Sequence, residues 1–423
     1  MRVDFPPGRL AEPDFARSHT AIRKCVHCGF CTATCPTYVL LGDERDSPRG
    51  RIELIRAMLE RPDQAPSKAT VTHIDRCLSC LACKTTCPSG VDYADLIDHA
   101  RRHIEDHYRR PWPERVMRAL IPAVLTRPKR LRAALTLGRA ARPLAPMLET
   151  LRLAPLAAML RLLPERVSTQ TTEHPAPGTR GRVALLQGCV EPALAPQIRA
   201  AATRLIARAG FEVVEVKGEG CCGALSEHLG RAEEAAGMAR RNLRAWADAG
   251  PLDAIVTTAA GCGTTLKAYG KQAGADGEAA AAKARDILEF IAEAGLPPVT
   301  REVRMAVAYH APCSLQHGQG IKAAPAALLA QAGFEVREPA EPHLCCGSAG
   351  VYNILQPELA TQLRDRKAAN LKAVGARVVA AGNIGCIAQM QPALDAAVIH
   401  PVELLDWATG GPEPAGLRRP QTA

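Results

Sequence analysis

Aromatic residues are scarce in this sequence: six Phe, six Tyr and three Trp among 423 residues. A surface that binds nucleic acid by stacking needs aromatics interleaved with its basic residues. The arginine-rich stretch 111–170 offers only Trp112, so no nucleic-acid partner is expected. No run of 18 uncharged apolar residues occurs, which argues against a transmembrane helix. Met1 to Leu10 holds no apolar core like that of a secretory signal, so the expected location is cytoplasmic. Walker A, flavin-binding and Ser-His-Asp patterns are all missing. Gly218-x-Gly220-x-x-Gly223 has the lettering of a dinucleotide fingerprint. Cysteines fill two of its variable positions, and the related stretch 342–347 reads Pro-His-Leu-Cys-Cys-Gly, so no nucleotide is expected there. The chain therefore lacks a recognisable site for oxidising an organic substrate.

Cysteine is abundant, with 16 residues. In a small secreted chain that would indicate disulfides. In a long chain without an export signal, regular spacing favours metal ligation. Cys25, Cys28, Cys31 and Cys35 recur 52 residues later as Cys77, Cys80, Cys83 and Cys87, each run followed by proline (Pro36, Pro88). The run Cys-x2-Cys-x2-Cys-x3-Cys-Pro is the bacterial [4Fe–4S] pattern, in which the fourth cysteine of each run serves the other cluster. Three thiolates on one tight loop reach three irons of a cubane, and the fourth iron faces away from that loop. The spacing thus assigns Cys25, Cys28, Cys31 and Cys87 to one [4Fe–4S] cluster and Cys77, Cys80, Cys83 and Cys35 to a second. Zinc is the competing metal, but its sites use paired Cys-x2-4-Cys units, and these triple runs fit it poorly. Arg23, Lys24, Arg76 and Lys84 lie near the loops in sequence. They either raise the cluster potentials or form a solvated rim.

Between the runs, Ser47 is a suitable N-cap and Pro48 a suitable first helical residue. Ile52, Ile55, Met58 and Leu59 then form an apolar stripe at helical spacing. Tyr93 to Tyr108 also reads as helix. Residues 111–170 carry 11 Lys and Arg against 3 Glu, eight of the chain's ten net positive charges. Prolines break this stretch into short helices. Leu151, Leu153, Leu156, Met159, Leu160 and Leu163 with Arg152 and Arg161 spell an interfacial helix, or one packed internally.

A longer repeat fills the rest of the chain. Cys189, Cys221, Cys222 and Cys262 recur 124 residues later as Cys313, Cys345, Cys346 and Cys386, with Gly223 and Gly347 after the adjacent pairs. Apolar runs at 183–186, 211–216, 252–258, 303–309, 334–336 and 376–381 read as strands. Helical stretches at 196–209, 231–249, 324–332 and 358–374 alternate with them, which implies parallel βαβ units. The eight thiols are candidates for further clusters, for thiol–disulfide chemistry or for packing alone. His310 and His343 near them are expected to be hydrogen-bonded core residues. The expected architecture is α+β and multidomain. A helical ferredoxin-like two-cluster domain (15–110) is followed by a basic connector (111–180) and two homologous α/β lobes (181–300 and 301–410).

The segments Cys25-Val-His-Cys-Gly-Phe-Cys-Thr-Ala-Thr-Cys-Pro-Thr-Tyr, Asp46-Ser-Pro-Arg-Gly-Arg-Ile-Glu-Leu-Ile and Asp75-Arg-Cys-Leu-Ser-Cys resemble the iron–sulfur subunit of bacterial glycolate oxidase. The paired Cys-Cys-Gly lobes are similar to the cysteine-rich (CCG) domains of that family. They also resemble heterodisulfide reductase subunits and the iron–sulfur subunit of anaerobic glycerol-3-phosphate dehydrogenase. The resemblance implies a subunit that carries electrons and does not bind the substrate. It places FAD on a partner glycolate oxidase subunit, which turns glycolate into glyoxylate, and a quinone or other acceptor takes the electrons. Attachment to the inner face of the cell membrane is consistent with this. A heterodisulfide or thiol reductase, or the iron–sulfur subunit of a lactate or glycerol-3-phosphate dehydrogenase, is the alternative. In heterodisulfide reductase the lobe motif ends in Cys-x2-Cys; here Thr265 and Gln389 stand at the final position, which weakens disulfide chemistry.

Overall fold

A computed structural model describes residues 1–150 and 178–418. The interfacial-helix candidate at 151–163 lies outside the described residues. The N-terminal part is helical. Helices Pro13–Lys24, Pro48–Leu59, Lys68–Asp75 and Tyr93–His107 enclose Ile22, Ile55, Leu59, Ile74, Leu96, Ile97 and Ile104, all fully buried. The second of these helices starts as its sequence dictates: the Ser47 side chain accepts from Gly50 N, and Pro48 occupies the first turn, where its missing N–H costs nothing.

Each lobe is a four-stranded parallel sheet. In the first, β1 (Arg182–Leu185), β2 (Glu212–Val214), β3 (Ala254–Thr257) and β4 (Ala284–Asp286) run in the order β2-β1-β3-β4. In the second, β5 (Ala306–His310), β6 (Glu335–Arg337), β7 (Val378–Ala381) and β8 (Ala397–Ile399) run β6-β5-β7-β8. The central pairs share one register, Val183 opposite Ala254 and Val307 opposite Val378. Strands β4 and β8 were not among the expected ones. At three residues each they are too short to show a strand period, and β4 is also interrupted by Arg285.

One apolar core spans both lobes. It joins Val183, Leu185 and Val256 to Val307, Val378 and Ile399 through helices Pro196–Arg208 and Pro401–Ala408. Arg204 donates to the buried Asp406 at 2.6 Å across this seam. The helical part docks on the second lobe by packing Leu78, Cys80 and Ala82 against Cys345, Tyr352, Leu359 and Leu363. Helices Trp112–Leu125 and Pro128–Ala141 form a hairpin across the lobes. Ile121 and Leu125 pack with Leu229 and Val351, and Leu131 and Leu135 pack with Ala193. Among the described residues, no helix is long and apolar enough to cross a membrane.

Candidate metal centres

The two N-terminal cysteine loops share an unusual backbone. His27 (φ 55°) and Gly29 (φ 85°) in the first correspond, 52 residues on, to Ser79 (φ 51°) and Leu81 (φ 59°) in the second. Left-handed residues on either side of the middle cysteine curl each loop around a point. For non-glycine residues this costs roughly 1–2 kcal/mol apiece. Strain kept at the same place in both repeats marks a functional site. Each loop then borrows a cysteine from the other run. Cys25, Cys28, Cys31 and Cys87 line one small cavity, and Cys35, Cys77 and Cys80 line another. Cys83 lies between the two and borders both. The first cavity is the outer one: Cys28 is exposed, and Cys31 and Cys87 are half-buried.

The arginines of the Asp46-Ser-Pro-Arg-Gly-Arg stretch divide between these cavities. Arg49 donates to the carbonyl of His27 at 3.3 Å. Arg51, fully buried, donates to Thr37 at 2.9 Å, to Asp46 at 3.1 Å and to the Cys35 sulfur at 3.7 Å. Asp46 has no exposure and is also held by Arg76 at 2.9 Å and faced by His73 at 3.0 Å. Tyr93 Oη donates to the Cys77 sulfur at 3.9 Å. Arg51, not the cations noted near the loops, thus places positive charge on a ligand sulfur. Arg76 balances Asp46, and Lys84 pairs with Asp92 at 3.1 Å. Burial pushes the Cys31 thiol up to about 11, and Cys80 and Cys83 well above the ordinary thiol value. Free buried thiolates are therefore disfavoured here, whereas metal-bound ones are stable, since a coordinated thiol is deprotonated outright.

In the lobes, the cysteines sit beyond the carboxyl ends of the strands, where open α/β sheets gather their sites. Cys189 follows β1, the Cys221–Cys222 pair follows β2, and Cys262 lies in the first turn of helix Ala260–Leu266 after β3. Cys313, Cys345, Cys346 and Cys386 repeat this in the second lobe. Gly347 (φ 85°) turns the chain after the pair, and a Cβ there would lie 2.6 Å from the Ala360 carbonyl, so only glycine fits. The sequence repeat treats the lobes as two separate thiol groups. The structure brings all eight sulfur-bearing residues to one cavity of about 310 Å³ between the lobes. Leu125, Leu131 and Leu135 of the hairpin and Leu78 of the second cysteine loop also line it.

The thiols within a lobe are linked. Cys313 and Cys345 sulfurs are 3.7 Å apart. One sulfur of each adjacent pair is held well below the ordinary thiol value because neighbouring thiols donate to it. In the first lobe Cys221 accepts from Cys189 and then Cys222. In the second Cys346 accepts from Cys345 and then Cys386. All sixteen cysteines are free of disulfides. Thr265 and Gln389 stay out of these sites. Thr265 donates to Gly261 O at 3.2 Å; the Gln389 amide donates to Ala360 O at 3.2 Å and accepts from Asn353 at 3.0 Å. His343 lies partly exposed, its carbonyl facing His317 Nε2 at 3.3 Å. His310 is in the core as expected, but neither ring nitrogen meets hydrogen-bond geometry with a partner, and the ring lies beside the Cys346 thiol.

The donor chemistry fits iron–sulfur clusters. Each N-terminal cavity gathers at least four thiols on strained loops; the inner one is buried, and there Ser79 N donates to Cys77 Sγ at 3.5 Å. Sequence reasoning noted the Asp46–Arg51 stretch only as a resemblance and missed what it does. Two arginines at i and i+2 flanking a glycine, in the first turn of a helix with an apolar stripe, were the available signal.

Comparison with known proteins gives the same two kinds of module. Residues 21–91 match the family model "4Fe-4S dicluster domain", and residues 183–267 and 307–391 each match "Cysteine-rich domain". The glycolate oxidase iron-sulfur subunit of Escherichia coli is 39% identical over 397 residues, covering 92% of this chain and 94% of that one. The probable glycolate oxidase iron-sulfur subunit of Bacillus subtilis is 31% identical, covering 91% of this chain and 94% of that one. Among solved structures, a hypothetical protein from Helicobacter pylori aligns with a TM-score of 0.54 at 8% identity, covering 96% of this chain and 74% of that chain. That likeness is one of fold alone.

Proposed function

This chain belongs to the glycolate oxidase iron–sulfur subunit family and is an electron-transfer subunit of an oxidoreductase, and from there we propose a direction for its electrons. They enter from a flavin-bearing partner that oxidises glycolate and leave to a quinone at a membrane surface. The observation that carries this reading is the spatial order of the thiol sites. The cavity of Cys25, Cys28, Cys31 and Cys87 opens to the surface. The cavity of Cys35, Cys77, Cys80 and Cys83 follows it, with Cys83 shared. Cys80 then packs in one cluster with Cys345 and Cys313, which border the interlobe cavity. Bound [4Fe–4S] clusters supply one-electron transfer; the chain's part is to hold them in sequence and keep water from the inner ones.

At the outer end, Val26 and Phe30 flank Cys28 and are 68% and 64% exposed. Such apolar side chains beside the first cavity suit docking of the flavin partner. The expected result for Val26→Ser with Phe30→Ser is weaker complex formation by ~30-fold, or about 2 kcal/mol for an aromatic anchor. Reduction of the purified chain by dithionite stays as in the parent. Reduction by the partner with glycolate at the parent rate, with lactate as comparison substrate, would sink this docking face.

At the inner end, the hairpin covers the interlobe cavity with one side and presents Trp112, Val116, Leu120 and Leu137 to solvent with the other. Arg115, Arg127, Lys129 and Arg130 accompany them. Exposed apolar residues among cations suit an anionic bilayer. Sedimentation with phosphatidylglycerol vesicles is expected to carry the chain down at low salt and release it at high salt. Trp112→Ser with Leu120→Ser lowers the bound fraction. Equal binding to neutral phosphatidylcholine vesicles, or none to either, contradicts the membrane reading.

A further inference from the structure

We propose that His310 is a nitrogen ligand to an iron–sulfur centre held by Cys313, Cys345, Cys346 and Cys386, so that the two lobes carry chemically different centres. The proposal rests on the reading that the second-lobe cysteines bind iron. His310 is the last residue of β5 and only 1% exposed. Neither Nδ1 nor Nε2 meets hydrogen-bond geometry with a partner, and the polar group beside the ring is the Cys346 thiol. A ring nitrogen and the sulfurs of Cys346 and Cys386 all lie within 4.8 Å of one another, and all three residues are buried.

Burying a polar nitrogen without a well-formed hydrogen bond is destabilising. Coordination satisfies one ring nitrogen outright, and imidazole is an ordinary ligand for iron and zinc. The Asn383 amide already donates to the Cys386 sulfur at 3.5 Å from the other side. Gln389, one helical turn after Cys386, is turned to the Ala360 carbonyl and to Asn353.

The first lobe shows that this nitrogen is not required by the fold. Its equivalent position, 124 residues earlier, is Leu186, 3% exposed and packed in an apolar cluster. Among the described residues, no ring nitrogen groups with two of the sulfurs of Cys189, Cys221, Cys222 and Cys262 as His310 does with Cys346 and Cys386, although His228 lines the shared cavity. The repeat is otherwise kept at every cysteine, so the exchange of leucine for histidine falls on the strand end that faces the thiols. The second lobe is also the one packed against Cys80. A nitrogen there gives the lobe nearest the inner N-terminal site a ligand that the other lobe lacks.

The test uses the full chain, purified anaerobically, with natural-abundance or 15N-labelled histidine. Iron and zinc are assayed, and pulsed EPR is recorded in oxidised and reduced forms. The expected result is a directly coordinated nitrogen whose coupling changes with 15N-histidine. It disappears in His310→Leu, the first-lobe residue, while the N-terminal cluster signals persist. His310→Cys, which keeps a ligand, retains the iron and shows no nitrogen coupling. A second-lobe iron signal in the parent without histidine coupling overturns the proposal, and so does coupling that survives His310→Leu. Zinc in place of iron at this lobe also overturns it. If Cys346→Ser loses no iron, the underlying reading fails, and the proposal falls with it.

Discussion

Cys87→Ser is expected to remove the cluster of the other run. The chain loses about four of its irons, and the lost spectrum belongs to the loop of Cys25, Cys28 and Cys31, 56 residues or more away in sequence. Cys35→Ser does the reverse and empties the loop of Cys77, Cys80 and Cys83. The reason is geometric: the fourth thiol of each run borders the other run's cavity. Loss of a direct ligand is expected to exceed the roughly 10–100-fold loss of metal affinity that follows removal of an outer partner. Electron delivery from the flavin partner stops in Cys87→Ser, because the outer site is the entry point. Iron analysis and EPR of each variant check this. Loss of the cluster in the variant's own run would show that ligation is not crossed.

Arg51→Met is expected to destabilise the helical N-terminal part by about 3 kcal/mol, the lower end of the range for breaking a buried pair, because Asp46 keeps Arg76. Asp46 would remain buried against Arg76 and His73 alone, and the His73 carbonyl and Thr37 would each lose a donor. Arg49→Met is the contrasting change. Its partly exposed pairing with Glu44 falls in the class of ion pairs that contribute about 0–1 kcal/mol. Denaturant unfolding of both variants measures the difference. In the fraction of Arg51→Met that retains clusters, potentiometry is expected to show a lower potential for the inner site, since the positive charge next to Cys35 is gone. Equal stability of the two variants would show that Arg51 does not carry the buried network.

Much of this site was legible in the sequence because the cysteine spacing is local chemistry. Three thiols at intervals of three residues can only serve one small centre, and the 52-residue repeat alone pairs the two loops. The α/β lobes were legible for a similar reason, as strands β1, β3, β5 and β7 are apolar runs ending just before cysteines. What stayed hidden depends on contacts distant along the chain. Arg51 reaches the Cys35 sulfur only once the helix it starts has packed on 68–75. His310 reads as an ordinary histidine at a strand end; its missing partners are visible only when the lobe is folded around it. The convergence of both thiol sets on one cavity follows from packing the 196–208 and 401–408 helices across the lobes, and no spacing within either lobe encodes it. Strands β4 and β8 were too short to register, and β4 is also polar in pattern.

The central claim is that this chain holds iron–sulfur clusters in its crossed N-terminal cavities. Its most direct test is anaerobic purification with iron and zinc analysis, followed by EPR of the dithionite-reduced protein. The account requires at least about eight irons per chain, with a spectrum showing two reduced clusters in magnetic interaction. Stoichiometric zinc with no cluster signal would contradict it.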